Sequence, residues 1–216
     1  MRNLEAQDAS RFGSFTLALA DREREHKEGD HVDTTSLAQS VVDETTVVVD
    51  NIAPDQLGNP TPCAEWTVRD VLNHITNGAV MFAMSCDQGS VSEELTAQIA
   101  AGDDFKGAWR AATTAALGAA AEPGAMEKTV TLPFGEMTVG AFLNYVIFDL
   151  TTHATDLARA TGQTITNTDL LEAALEAGRQ TLGPGMRQPG VFDSEQPVSA
   201  DAPVIDRLQA FAGRKP

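Results

Sequence analysis

Phe142-Leu143-Asn144-Tyr145-Val146-Ile147-Phe148-Asp149-Leu150-Thr151-Thr152-His153-Ala154-Thr155-Asp156-Leu157-Ala158-Arg159 runs without Gly or Pro for about five helical turns. Phe142, Val146, Asp149, His153 and Asp156/Leu157 fall at three- and four-residue steps and so share one face of the predicted helix. The face would be ordinary core but for an acid and an imidazole four residues apart. An ionised carboxylate is costly to bury alone, so buried acids are normally paired or bound to metal. A carboxylate and a histidine at i and i+4 can chelate a divalent ion. They can equally form a plain hydrogen-bonded pair.

Outward from this helix, the 216-residue chain is long enough to bury a sizeable core. Its 42% hydrophobic and 21% charged content describe a globular protein. Asp and Glu number 31 against 15 Lys and Arg, a net charge of −16. That charge argues against nucleic acid and against an anionic membrane surface as partners. Two cysteines, Cys63 and Cys86, make neither a disulfide framework nor a zinc pattern such as CxxC or HxxxCxxC. No stretch reaches the roughly 18 apolar residues of a membrane span, and no signal peptide is legible. The expected location is the cytoplasm.

Residues 1–33, ending in Arg22-Glu23-Arg24-Glu25-His26-Lys27-Glu28-Gly29-Asp30-His31, read as a flexible, solvated extension, and residues 34–216 as the body. A first helix is expected from Asp33 or Thr34 as cap to about Ile52, with Leu37, Val41, Thr45, Val48 and Ile52 as its stripe. Pro54, Gly58, Pro60 and Pro62 then mark a long loop. Thr67 with Asp70 resembles a capping box, with Trp66 in the staple position, so a second helix starts near Thr67 and runs to about Cys86. Val71, His74, Ile75, Gly78 and Phe82 share its inward face. A short helical piece over 92–101 and a third helix from Phe105 to about Ala121 follow. Glu127–Leu132 alternates like a strand, Pro133–Glu136 is a turn, and Met137–Val139 can pair back. The quoted helix starts near Thr138 and ends by Gly162; a fifth runs from Asn167 or Thr168 to Leu182. From Met186 the chain is a Pro-rich, irregular arm with one amphipathic piece, Ile205–Phe211.

The pattern predicts an all-α fold with a short hairpin or extended segment before the fourth helix. It supplies one candidate ligand set, His74 from the second helix with Asp149 and His153 from the fourth, of the kind that helical bundles build from facing helices. GxGxxG, Walker, GxSxG and HExxH motifs are missing. Cys63 lacks an identifiable base for a thiol nucleophile.

Thr61-Pro62-Cys63-Ala64-Glu65-Trp66-Thr67-Val68-Arg69-Asp70-Val71-Leu72-Asn73-His74 resembles the TPC-x-x-WTVRD-LL-x-H block of the DinB-like superfamily. More narrowly, it looks like the actinobacterial branch related to the N-terminal domain of mycothiol-dependent maleylpyruvate isomerase. His153-Ala154-Thr155-Asp156-Leu157-Ala158-Arg159-Ala160-Thr161-Gly162-Gln163 is similar to a second block of that branch. The tail from Pro189 to Pro216 is similar to its C-terminal end.

The resemblance implies a DinB-like four-helix bundle over residues 34–216 with a divalent metal near one end. It carries the ligand roles to His74, Asp149 and His153, zinc first and nickel second. The isomerase has Glu where this chain has Asp149, and a carboxylate shorter by one methylene bears on metal position and preference. Asp156 is implied as the acceptor supporting a ligand histidine, or as a salt-bridge partner of Arg159 or a neighbouring helix. The resemblance also implies a low-molecular-weight thiol and a small electrophile as partners, in a monomer or homodimer. The expected activity is thiol-dependent transfer or isomerisation. The alternatives are a metal-dependent hydrolase and a non-catalytic metal-binding, sensor or partner-binding bundle. Arg69 and Arg159 are candidates for orienting an acidic substrate.

Overall fold

A computed structural model describes residues 33–90, 102–132, 135–182, 187 and 192–215. The expected extension 1–32, the helical piece over 92–101, and parts of the hairpin turn and the arm lie outside the described residues. The fold is mostly helical with one small sheet. Its helices are α1 (Thr34–Asp50), α2 (Val68–Gln88), α3 (Phe105–Ala120), α4 (Val139–Thr161), α5 (Thr168–Thr181) and α6 (Val204–Phe211). The strands β1 (Thr129–Leu132) and β2 (Gly135–Thr138) form an antiparallel hairpin immediately before α4.

Helix ends follow the local chemistry. The Thr67 backbone N–H donates to the Asp70 carboxylate at 2.9 Å, and the Asp70 N–H donates back to the Thr67 hydroxyl, closing the capping box of α2. Thr138 and Asn167 cap α4 and α5 through their side-chain oxygens. Gly89 (φ 74°) and Gly162 (φ 73°) end α2 and α4 in the left-handed region that favours glycine. One expectation shifts: β2 begins at Gly135 and ends at Thr138, and Val139 already belongs to α4. The register pairs Leu132 with Gly135 and Val130 with Met137. Gly135 and Glu136 therefore belong to the paired strand, where their residue types had suggested turn. The expected long loop is present between Asp50 and Val68 and contains one 3₁₀ turn at Pro54–Gln56.

α4 is the central element. It packs on α1 and α2, both of which also pack on α3, while α5 covers its other side and α6 leans on α5 and α4. Every residue from Leu150 to Ala158 is buried, including three threonines. Thr151 and Thr152 donate to the Ile147 and Phe148 carbonyls, and Thr155 to that of Thr152, so their hydroxyls are satisfied inside the core. Trp109 of α3 is fully buried and donates its indole N–H to Thr46 of α1 at 2.9 Å.

At the α4–α5 crossing a Cβ on Gly178 would lie 2.4 Å from the Phe148 ring. That ring is itself wedged against Phe192 and Phe211. Gly178→Ala is therefore expected to destabilise by about 1–3 kcal/mol through overpacking, overriding a helix-propensity gain of roughly 1 kcal/mol. Urea unfolding monitored by circular dichroism measures the sign.

Candidate functional site

The sequence brings a histidine to the second turn of α2 and an acid and a histidine to consecutive turns of α4. The fold makes them meet. His74 Nε2 lies 3.0 Å from Asp149 Oδ2, and His153 Nε2 lies 3.6 Å from Asp149 Oδ1. One ligand atom from each residue falls within 4.8 Å of the others. Donors around one tetrahedral zinc sit roughly 3.3 Å apart, as bond lengths near 2 Å require. The nitrogen–oxygen set fits a divalent cation in both chemistry and spacing.

The far side of His153 is fixed. Its Nδ1 lies 3.1 Å from Asp156 Oδ2, so a proton on Nδ1 leaves the Nε2 lone pair facing Asp149 and His74. Asp156 is completely buried and also accepts from Gln209 Nε2 at 3.0 Å and from Arg214 Nη2 at 3.1 Å. Asp156 thus both hydrogen-bonds His153 and pairs with a cation. Its cationic partner is Arg214, and Arg159 pairs with Asp206 instead, at 2.6 Å. Arg69 donates to the Gly102 carbonyl, so neither of those arginines lines the site.

Charge follows this geometry. Burial raises the Asp149 pKa, but the His74 and His153 imidazoles outweigh it and hold the carboxyl down at about 2. Burial lowers His74, yet the adjacent Asp149 charge and hydrogen bond more than reverse it, and the net shift is upward. For His153, which is more deeply enclosed, burial wins over Asp149 and the pKa falls, so this imidazole is neutral at pH 7. Burial also raises Asp156, but the His153 hydrogen bond and the Arg214 charge pull it below the ordinary carboxylate range.

Three site residues escaped the sequence reading. Trp66, placed as a helix staple, stacks on His153 with ring centroids 5.6 Å apart and planes 10° from parallel, and it also meets His74 at 5.0 Å. Its loop turns sharply: Trp66 N–H donates to the Cys63 carbonyl, and Glu65 sits at φ 68°. Gln209 and Arg214 come from the C-terminal arm, which reaches into the site where the sequence had suggested a cover over the body. Only the buried, charge-hungry position of Asp156 signals them, and that becomes visible only in three dimensions.

His74, Asp149 and His153 line a cleft of about 870 Å³ together with Cys63, Trp66, Tyr145, Asp193, Arg214 and Lys215. Burial pushes the Cys63 thiol up to about 11, with Asp156 and Asp149 raising it further against Arg214. At neutral pH Cys63 is thus held as the thiol, the weaker nucleophile of its two forms. Its alkylation by iodoacetamide at pH 8 is expected to be at least about tenfold slower than that of an unhindered thiol, read by mass spectrometry of the modified peptide.

The molecule is a mostly helical body with an acid–imidazole cluster between its second and fourth helices, open to a cleft. The chain belongs to the mycothiol maleylpyruvate isomerase N-terminal domain family, whose model matches residues 38–158. It is 36% identical over 178 residues to an uncharacterized protein of Mycobacterium tuberculosis strain H37Rv, covering 82% of this chain and 94% of that one. The counterpart in strain CDC 1551 matches equally. Among solved structures it shares its fold with the mycothiol-dependent maleylpyruvate isomerase, at a TM-score of 0.57 and 15% identity. That likeness covers 67% of this chain and 66% of the isomerase. No helix among the described residues is long and apolar enough to cross a membrane.

Proposed function

We propose that the protein is a thiol-dependent transferase or isomerase on a DinB-like four-helix bundle, with His74, Asp149 and His153 as protein ligands of a divalent metal, zinc or nickel. Bound there, the ion would supply a Lewis acid able to keep a mycothiol-type thiol deprotonated near neutral pH. The observation that carries this reading is the orientation of His153: Asp156 holds Nδ1, and Nε2 converges with Asp149 and His74 in the lining of an open cleft. Three protein donors are the number typical of catalytic zinc, whereas closed structural sites use four. The cleft volume lies in the range of small-molecule sites, which favours an enzyme over a filled, non-catalytic binding module.

The chain's own residues have separable tasks. Asp156 sets the His153 tautomer, and Arg214 and Gln209 hold Asp156. Trp66 covers one face of the His153 imidazole and keeps water from it. The cleft admits the thiol, and its lining includes the cations Arg214 and Lys215 within a strongly acidic protein.

Purified protein loaded with zinc or nickel and given mycothiol should act on one or more of a panel of small electrophiles. Turnover should require both thiol and metal and should fall by roughly a hundredfold or more in His153→Ala. Equal rates in the two proteins would remove the reading.

A further inference from the structure

His74, Asp149 and Tyr145 line a second space besides the polar cleft. It is a partly open, apolar pocket of about 200 Å³ between α1, α2, α3 and α4. Its walls come from side chains such as Val42, Ile75, Phe82, Leu117 and Leu150. Beyond those three polar groups, Thr113 is the one other polar residue lining it, and its hydroxyl donates to the Trp109 carbonyl of its own helix at 2.9 Å. No lysine or arginine is among the lining residues.

Protein interiors are close-packed, and voids much larger than a water are few. A pocket lined almost wholly by carbon has the character of a binding space for an apolar group. Its wall also has room in reserve. A Cβ built at Gly78, on the inward face of α2 one turn beyond His74, meets nothing within 4 Å.

We infer that the site takes an electrophile with an uncharged apolar tail, an aryl ring or short alkyl chain, seated in this cavity with its reactive end at His74 and Asp149. The polar cleft is left to the thiol. His74 and Asp149 are part of the cavity's lining, so a group seated in it can present its head to them. A second charge on that group would lie against walls that are almost wholly aliphatic and aromatic carbon, with no lysine or arginine among them. This assignment rests on the donor cluster being the reacting point, as proposed above, but the cavity's preference can be measured without turnover.

The experiment uses the full chain and toluene as probe, with methyl NMR shifts of Ile75 and Leu150 as readout. Terephthalate, the same ring with a charge at each end, is the comparison. Toluene should bind saturably and shift both methyls, and terephthalate at equal concentration should not. Gly78→Leu, which fills the cavity, should weaken toluene binding by roughly tenfold or more. Ala116→Leu, on the facing wall, serves if the first variant does not fold. Toluene affinity unchanged by filling, or terephthalate binding as well as toluene, overturns the assignment. Absence of thiol-dependent turnover would remove the proposed activity while leaving the toluene result intact, so the two failures are distinguishable.

Discussion

Asp156→Asn is expected to remove about 3–5 kcal/mol of stability at pH 7, the largest effect of any single substitution at the site. The carboxylate is wholly buried and serves three donors at once, on His153, Gln209 and Arg214. The amide keeps the shape but takes away the charge that balances a guanidinium only 8% exposed. The pH dependence tests the cause. The Asp156 pKa is depressed in the folded protein, so its stabilisation is fully present above the ordinary carboxylate value near 4. It is lost as pH falls through the lower folded value. The stability gap between wild type and variant, measured by urea unfolding, should therefore be widest at neutral pH and close progressively below about pH 4. A gap independent of pH would show that shape, and not charge, is what the position requires. The same variant should weaken metal binding by roughly ten- to a hundredfold, because the His153 tautomer is no longer imposed.

Asp149→Ala should go further and reduce metal affinity by more than roughly a hundredfold, the upper range for residues that merely support a ligand. It should also change the proton count. In the metal-free protein the Asp149 charge raises the His74 pKa, so below that raised value His74 keeps a proton that an incoming cation must displace. Affinity should accordingly rise with pH through that raised value and level off above it. Titration calorimetry in buffers of different ionisation enthalpy, run at a series of pH values, should detect the released proton on the acid side. Without Asp149, burial and the Arg214 charge both lower the His74 pKa, so the onset of proton release should move to lower pH in whatever weak binding remains. Asp149 itself does not limit acid stability of the centre, since its carboxyl stays ionised down to about pH 2.

Much of the fold was legible because its signals are local. Thr67 with Asp70, Thr138, Asn167 and the glycines at 89 and 162 place helix ends within a residue or two, and all are contacts spanning one turn. The donor cluster was legible for a related reason: the four-residue step from Asp149 to His153 and the inward phase of His74 are properties of single helices. The residues that make the cluster a site were not. Trp66 has a sufficient local role before Thr67, and nothing in its neighbourhood reveals that the bent 61–66 loop lays it on two imidazoles. Gln209 and Arg214 lie 53 and 58 residues from the acid they serve, beyond the reach of any periodicity. The cavity was invisible as well, because Val42, Gly78 and Leu117 read as core, and whether a core closes depends on how helices meet.

Arg214, Asp156, His153, Asp149 and His74 stand as an unbroken file of alternating positive, negative and ionisable partners, from the C-terminal arm to the second turn of α2. Whatever engages the inner end of that file alters the basicity of each member in turn, and linkage makes the influence mutual. Seating the arm and charging the centre are in this sense a single equilibrium read from opposite ends. A change that loosens the last residues would be felt at imidazoles that they never touch.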